Sequence, residues 1–176
     1  MTIFEIDSCL ESMEILVDTR EQPSKRAEDR YKSFQCPYKR RKLEYGDYTY
    51  NFQTPAGEWL YPDDQPVFPA VAIERKMSLD ELAACFTKER KRFEAEFGRA
   101  KEAGAKVYLL VENASYENLY NGKYRSLFAP AAYTASIWAW VARYNMIPVF
   151  CKEETSGKII KDILYRELKE WLHGGI

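Results

Sequence analysis

The sequence predicts an α/β fold, a mixed β-sheet flanked by helices. Three observations carry that prediction. From residue 70 onward, strand-like and helix-like segments alternate three times. Strands joined through helices run parallel, with right-handed crossovers. Upstream, a tyrosine-rich stretch and a second apolar run flank a proline-rich segment, which reads as a hairpin-like pair and makes the sheet mixed. The longest apolar runs, residues 107–111 and 137–142, are far too short to span a bilayer.

Residues 15–18 (Ile-Leu-Val-Asp) form the first expected strand. A polar helix follows over 23–34, with Pro23 in its first turn. Residues 43–52 read as a strand entered through Gly46-Asp47. Residues 54–69 hold Pro55, Pro62, Pro66 and Pro69 and read as a long loop inserted before the return strand, 71–76. Ser78 reads as an N-cap, with Glu81 in the capping-box position. Its helix runs to Gly104, with Leu79, Leu82, Phe86, Phe93, Phe97 and Ala100 on one apolar stripe. A buried strand over 107–111, a helix over 130–144 capped by Asn145 and a strand over 146–151 come next. Ser156 caps the last helix. Residues 1–13 read as an N-terminal extension, and 1–176 as one domain.

Composition excludes several chemistries. The single histidine, His173, makes Ser-His-Asp, Cys-His, HExxH and histidine-nuclease mechanisms improbable. Cys9, Cys36, Cys85 and Cys151 show no CxxC spacing and read as free thiols of a reducing compartment. The acidic N-terminus lacks a signal-peptide pattern, so the expected location is the cytoplasm, with no membrane partner. The net charge of −1 argues against a general polyanion coat, but the charge is segregated. Residues 1–24 carry six acids and one base; residues 25–42 carry eight bases and two acids, ending in Lys39-Arg40-Arg41-Lys42. Residues 86–106 add seven bases against four acids, including Arg90 and Arg92. Both basic segments are candidate phosphate contacts, and both also read as solvated faces.

The chemistry-bearing stretch is Glu74-Arg75-Lys76, followed by Asp80. Side chains at i and i+2 of a strand share a face, so Glu74 and Lys76 point one way and Arg75 the other. A carboxylate beside an ammonium is also a common harmless ion pair. Gly46-Asp47 is also a common turn, and Asp18-Thr19-Arg20-Glu21 a common loop start. Taken together, Asp18, Glu21, Asp47 and Glu74 are expected to converge. Clustered acids need a compensating cation, and all-oxygen ligands favour Mg²⁺ or Mn²⁺.

Val17-Asp18-x-Arg20-Glu21, Gly46-Asp47 and Glu74-Arg75-Lys76-x-x-x-Asp80 resemble the GD…ERKxxxD signature of the XPF/Hef structure-specific endonuclease domain, within the PD-(D/E)xK nuclease superfamily. The resemblance runs from about Ile15 to the C-terminus. The segments Arg90-Lys91-Arg92-Phe93-Glu94, Val111-Glu112, Trp138-Ala139-Trp140 and Ile147-Pro148-Val149 are most similar to compact phage and prophage versions. It implies a restriction-endonuclease-like fold and metal-dependent hydrolysis of DNA phosphodiesters, at branched or flapped DNA in repair, recombination or phage DNA metabolism. It assigns Asp47 and Glu74 to metal binding and Lys76 to catalysis. Asp18 and Glu21 become further metal or water contacts, with Arg20 supporting them. Arg75 is given a phosphate to engage, and Asp80 ties the following helix to the site. An exonuclease or junction resolvase of the same superfamily, or a catalytically idle DNA-binding or scaffold subunit, are the alternatives. The chain leaves no room for the tandem helix-hairpin-helix module of eukaryotic and archaeal members. DNA targeting then falls to the nuclease domain, a homodimer or a partner protein, with the last two helices as the candidate surface.

Overall fold

The computed structural model describes residues 1–174; residues 175 and 176 of the span assigned to one domain lie outside the described residues. Among the described residues, six strands build one sheet: β1 (Glu14–Asp18), β2 (Tyr38–Arg41), β3 (Tyr48–Asn51), β4 (Val71–Lys76), β5 (Lys106–Glu112) and β6 (Ile147–Cys151). Their order is β2-β1-β3-β4-β5-β6. β1 pairs parallel with β2, and β4, β5 and β6 are mutually parallel. β3 runs antiparallel to both β1 and β4. The sheet is therefore mixed, as expected. The C-terminal ends of β1, β4 and β5 meet the start of β3, where loops leave the sheet and sites are built.

Helices cover both faces. α1 (Ile3–Glu11), α2 (Lys25–Ser33) and α7 (Glu153–Leu172) pack on one face with Ile15, Val17, Tyr48, Ile73 and Leu110. α3 (Leu79–Phe86), α4 (Arg90–Glu102), α5 (Tyr116–Tyr120) and α6 (Pro130–Tyr144) pack on the other with Ala72, Leu109 and Val111. Trp140 is the largest buried side chain there, stacked on Phe93 with ring centroids 4.8 Å apart. Fully burying a side chain of this kind is worth about 1.5–3 kcal/mol, which anchors α6 to α4. α2 and α7 approach closely at Gly157, where a Cβ would come within 1.9 Å of Ser33 Oγ and 2.5 Å of Arg30 O.

Several elements differ from expectation. Residues 1–13 carry a helix not foreseen there: α1 starts at a Thr2–Glu5 capping box and buries Ile6 and Cys9. Pro23 stands before the N-cap Ser24, outside the first helical turn. The basic run Lys39-Arg40-Arg41 is itself the edge strand β2, and Leu43 only bridges Val67 before β3 starts at Tyr48. The long helix over 79–104 is two, because Thr87 leaves helical backbone (φ −114°, ψ −95°) and its hydroxyl donates to Ala83 O. The last helix starts at Glu153 with Lys152 as N-cap; Ser156 is buried inside it and donates to Glu153 O. Asn145 takes the left-handed C-cap conformation at φ 52°. The four cysteines are free. No described helix is long and apolar enough to cross a membrane.

Candidate active site

β4 ends in a strand whose two faces carry different chemistry. Glu74 and Lys76 share a face with Ala72 and lie on the α3–α4–α6 side, where Lys76 Nζ sits 5.3 Å from the Phe93 ring centre. Both are buried, and the ammonium donates to Glu74 Oε1 in a very short contact. Asp47 joins them from the start of β3. Its backbone N–H donates to Ile73 O (2.8 Å), and its Oδ2 accepts Arg75 N–H (2.7 Å). Gly46 before it has φ +74° and packs so closely on β4 that a Cβ would lie 2.9 Å from Ala72 Cβ. Only glycine suits that turn.

The charges there do not balance. Asp47 keeps part of its surface open to the cleft, yet the surrounding protein strips water from its carboxyl, and Glu74 repels it, so its pKa stands well above the usual range. Desolvation likewise raises Glu74, against the pull of Lys76, with Glu96 of α4 adding repulsion. Burial alone lowers the Lys76 pKa, but facing Glu74 and Asp47 outweigh it and hold the ammonium protonated. With both carboxyls ionised, two carboxylates face one ammonium, a deficit of one positive charge that a proton or a bound cation would fill.

On the other face the charges balance. Arg75 Nη2 donates to Glu21 Oε1 (3.0 Å) and its Nη1 to Glu112 Oε2 (3.2 Å). Arg30 of α2 donates to Glu112 Oε1 (3.1 Å) and to the Tyr48 hydroxyl (3.1 Å), and lies 3.5 Å from Glu21 Oε2. Tyr48 in turn donates to Glu21 Oε2 (3.1 Å). Two guanidinium groups and two carboxylates thus alternate in a buried square.

The four-acid convergence expected from the sequence is not what forms. Asp18 is fully buried and saturated: Oδ1 accepts Arg20 N–H and Nε–H (2.6 and 2.8 Å), Oδ2 accepts Arg20 Nη2 and Leu43 N–H (2.9 and 2.8 Å). Glu21 belongs to the square. Arg75, expected to engage a phosphate, is spent on Glu21 and Glu112. Asp80 ties α3 to the loop between α5 and α6, not to the acids: it accepts the N–H groups of Arg125 (2.7 Å) and Ser126 (2.8 Å). Among the described residues, no three Asp, Glu, His or Cys side chains are gathered tightly enough to hold a metal by themselves. Asp47, partly open to the cleft, and Glu74, buried beside Lys76, remain as the candidate pair, with Glu74 repelling Asp47.

The expected phosphate contacts are also mostly engaged. Lys39 pairs with Asp63 (2.6 Å), and Arg41 clamps the proline-rich loop through Asp63, Pro62 O and Gln65 O. Arg40 holds Thr19 O and Glu21 O. Lys42 lies exposed, 3.8 Å from Glu44. Arg90 and Arg92 pair with Glu94 and Glu89 on the exposed side of α4. The cleft beside Asp47, of about 440 Å³, is lined by Arg20, Arg26 and Lys76, and the square of Arg30, Arg75, Glu21 and Glu112 borders it too. Arg26 falls in the basic segment 25–42 expected to contact phosphate, but the pairing role of Arg30, Glu96 and the role of Glu112 escaped the sequence reading. Their partners lie far away in the chain, and no local pattern marks them.

No curated protein compared matches the chain. Among solved structures, XPF from Aeropyrum pernix matches with a TM-score of 0.59 at 19% identity, over 88% of this chain and 61% of that one. XPF from Aeropyrum pernix in complex with DNA matches with a TM-score of 0.59 at 19% identity, over 89% of this chain and 65% of that one. At such identity the likeness is one of fold, and this chain spans less than two thirds of the length of either structure. The ERCC4 domain family matches over residues 17–163, a span that contains Asp18, Glu21, Asp47, Glu74, Arg75, Lys76 and Asp80. This chain belongs to the ERCC4 domain family.

Proposed function

We propose that the chain is a divalent-metal-dependent DNA endonuclease, acting on branched or flapped DNA with Mg²⁺ or Mn²⁺ as cofactor. The observation that carries this reading is the Asp47–Glu74–Lys76 cluster, one positive charge short when both acids are ionised, with Asp47 and Lys76 lining a cleft of mixed charge. The donor set fits a hard cation: two carboxylates, each disfavoured as an anion by desolvation, Asp47 also by Glu74 and Glu74 by Glu96. Mg²⁺ is commonly held by one or two carboxylates, with water and substrate phosphate as its other ligands, so a third protein acid is not required. Asp47 and Glu74 would hold the ion. Once bound, such an ion polarises a phosphodiester and lowers the pKa of water beside it.

The chain's own groups supply the rest. Lys76 stays protonated beside the two acids, so it serves as a fixed donor to charge developing on phosphate oxygen, not as a general base. Arg20 and Arg26 are half or more exposed along the cleft; although paired with Asp18 and Glu153, their remaining N–H groups offer phosphate contacts. Arg75 acts indirectly, its backbone N–H holding Asp47 while its guanidinium locks the square behind. The DNA complex of the Aeropyrum pernix relative supports DNA as the partner class. A homodimer or a targeting protein is part of the same reading.

The test is cleavage of labelled flap, fork, circular and linear DNA with Mg²⁺ or Mn²⁺. Asp47→Ala and Lys76→Ala are each expected to lose about 10²–10³-fold in rate. Undiminished cleavage by both variants, or in excess EDTA, would overturn the mechanism. Digestion confined to free ends would favour an exonuclease.

A further inference from the structure

Asp47 is only as well placed as the turn that carries it. On the sheet side, Asp18 N–H donates to Asp47 O and Asp47 N–H to Ile73 O, both at 2.8 Å. On the opposite side the turn is gripped by one helix. Gly46 N–H donates to Glu96 Oε1 of α4 at 3.1 Å. One turn further along α4, Arg99 Nη2 donates to Glu44 O at 3.3 Å. Tyr45 between them is 2% exposed, buried in the same core as Phe97 and Ala100. α4 therefore holds three consecutive residues leading into Asp47.

Glu96 also touches the other motif segments. Its Oε1 lies 4.0 Å from Arg20 Nη2, which is itself fixed on Asp18. It lines, with Glu74 and Gly46, a void of about 10 Å³, room for about one water. It is only 15% exposed, and it stands on the helix whose direction is reset by the break at Thr87. The side chain thus lies where the segments carrying Asp18, Asp47 and Glu74 meet, although none of the expected site residues comes from α4's inner face.

We propose that Glu96 is a positioning residue of this site: by accepting the Gly46 N–H, it sets where the Asp47 carboxylate stands against Glu74 and Lys76. The proposal rests on the nuclease reading for its functional consequence, but its structural core does not. A competing role exists on the same atoms. Glu96 could act through its charge alone, as a further acid near the cation. The two roles separate by chemistry, because glutamine keeps the acceptor oxygen and loses the charge.

The experiment uses the full chain and compares wild type, Glu96→Gln and Glu96→Ala. Three quantities are read: amide hydrogen exchange at Gly46 by NMR, Mn²⁺ affinity, and kcat with KM on a flap substrate. Glu96→Ala is expected to speed Gly46 exchange at least tenfold, weaken Mn²⁺ at least tenfold and lower kcat at least tenfold, with KM for DNA unchanged. Glu96→Gln is expected to stay within threefold of wild type in all three. Glu96→Ser replaces the alanine variant if that one melts early. Unchanged Gly46 exchange in Glu96→Ala, or a glutamine variant as impaired as the alanine one, would overturn the positioning role. Wild-type protein that neither binds Mn²⁺ nor cleaves DNA would instead sink the nuclease reading, and the Gly46 exchange comparison would still decide the brace.

Discussion

The two faces of β4 solve opposite problems with the same residue types. Behind the strand, Arg30, Arg75, Glu21 and Glu112 pair two charges of each sign, with Tyr48 filling the remaining gap. In front, Asp47 and Glu74 share one Lys76. The first arrangement is neutral, with Arg75 Nε as its one buried donor lacking a partner. The second is an unfinished ion cluster, held open by a fold that gains nothing from it. Burial of charge is thus compatible with either structure or chemistry, and the sign count decides which.

Breaking the square should cost the most stability. Glu112→Ala strands two buried guanidinium groups, with an expected loss of about 3–5 kcal/mol in chemical denaturation. A loss below about 1 kcal/mol would mean that the square is not a structural element.

The open face should respond with the opposite sign. A carboxyl whose pKa is raised by folding binds more protons in the native state than in the unfolded one, so stability falls as pH climbs from the ordinary carboxylate range through the raised value. Asp47→Asn should therefore raise the melting temperature at neutral pH and flatten that fall, by less than the Glu112 loss. Mg²⁺ should offset part of the fall in wild type and less in the variant. Melting curves from pH 4 to pH 8, with and without Mg²⁺, read both effects. A variant that melts lower than wild type throughout would contradict the charge deficit.

The smallest effect sharpens the boundary of the site. Asp80 carries part of the signature but serves the loop at Arg125 and Ser126. Asp80→Ala should cost about 1 kcal/mol and loosen that loop to limited proteolysis, while the cleavage rate per folded molecule stays near wild type. A rate loss comparable to that of Lys76→Ala would place Asp80 inside the chemistry.

What was legible in the sequence followed from local rules. Strand alternation put Glu74 and Lys76 on one face and Arg75 on the other, and the structure keeps that division. Asn145 reads as a cap because asparagine tolerates the left-handed region that ends α6. The misses have equally physical causes. β2 is an edge strand with exposed basic side chains, so it shows no apolar alternation. The break between α3 and α4 hides because Phe86 and Phe93 are seven residues apart, which keeps the apolar stripe in phase across it. Asp18, Glu21, Asp47 and Glu74 were found, but their division was not, and Glu96 was missed. Whether Glu21 faces a cation or Arg75 depends on Arg30 and Glu112, one on α2 and the other at the end of β5.

The close approach at Gly157 gives the protein a remote tuning point. The gap between α2 and α7 has the width of a hydrogen atom, and the atoms bounding it are Ser33 Oγ and the backbone of Arg30. A single methyl group there would act as a shim, prising α2 away from the sheet and dragging the Arg30 guanidinium with it. Gly157→Ala would therefore be a lever on the square from a helix that contributes none of its charges, and a natural place to look for a heat-sensitive allele.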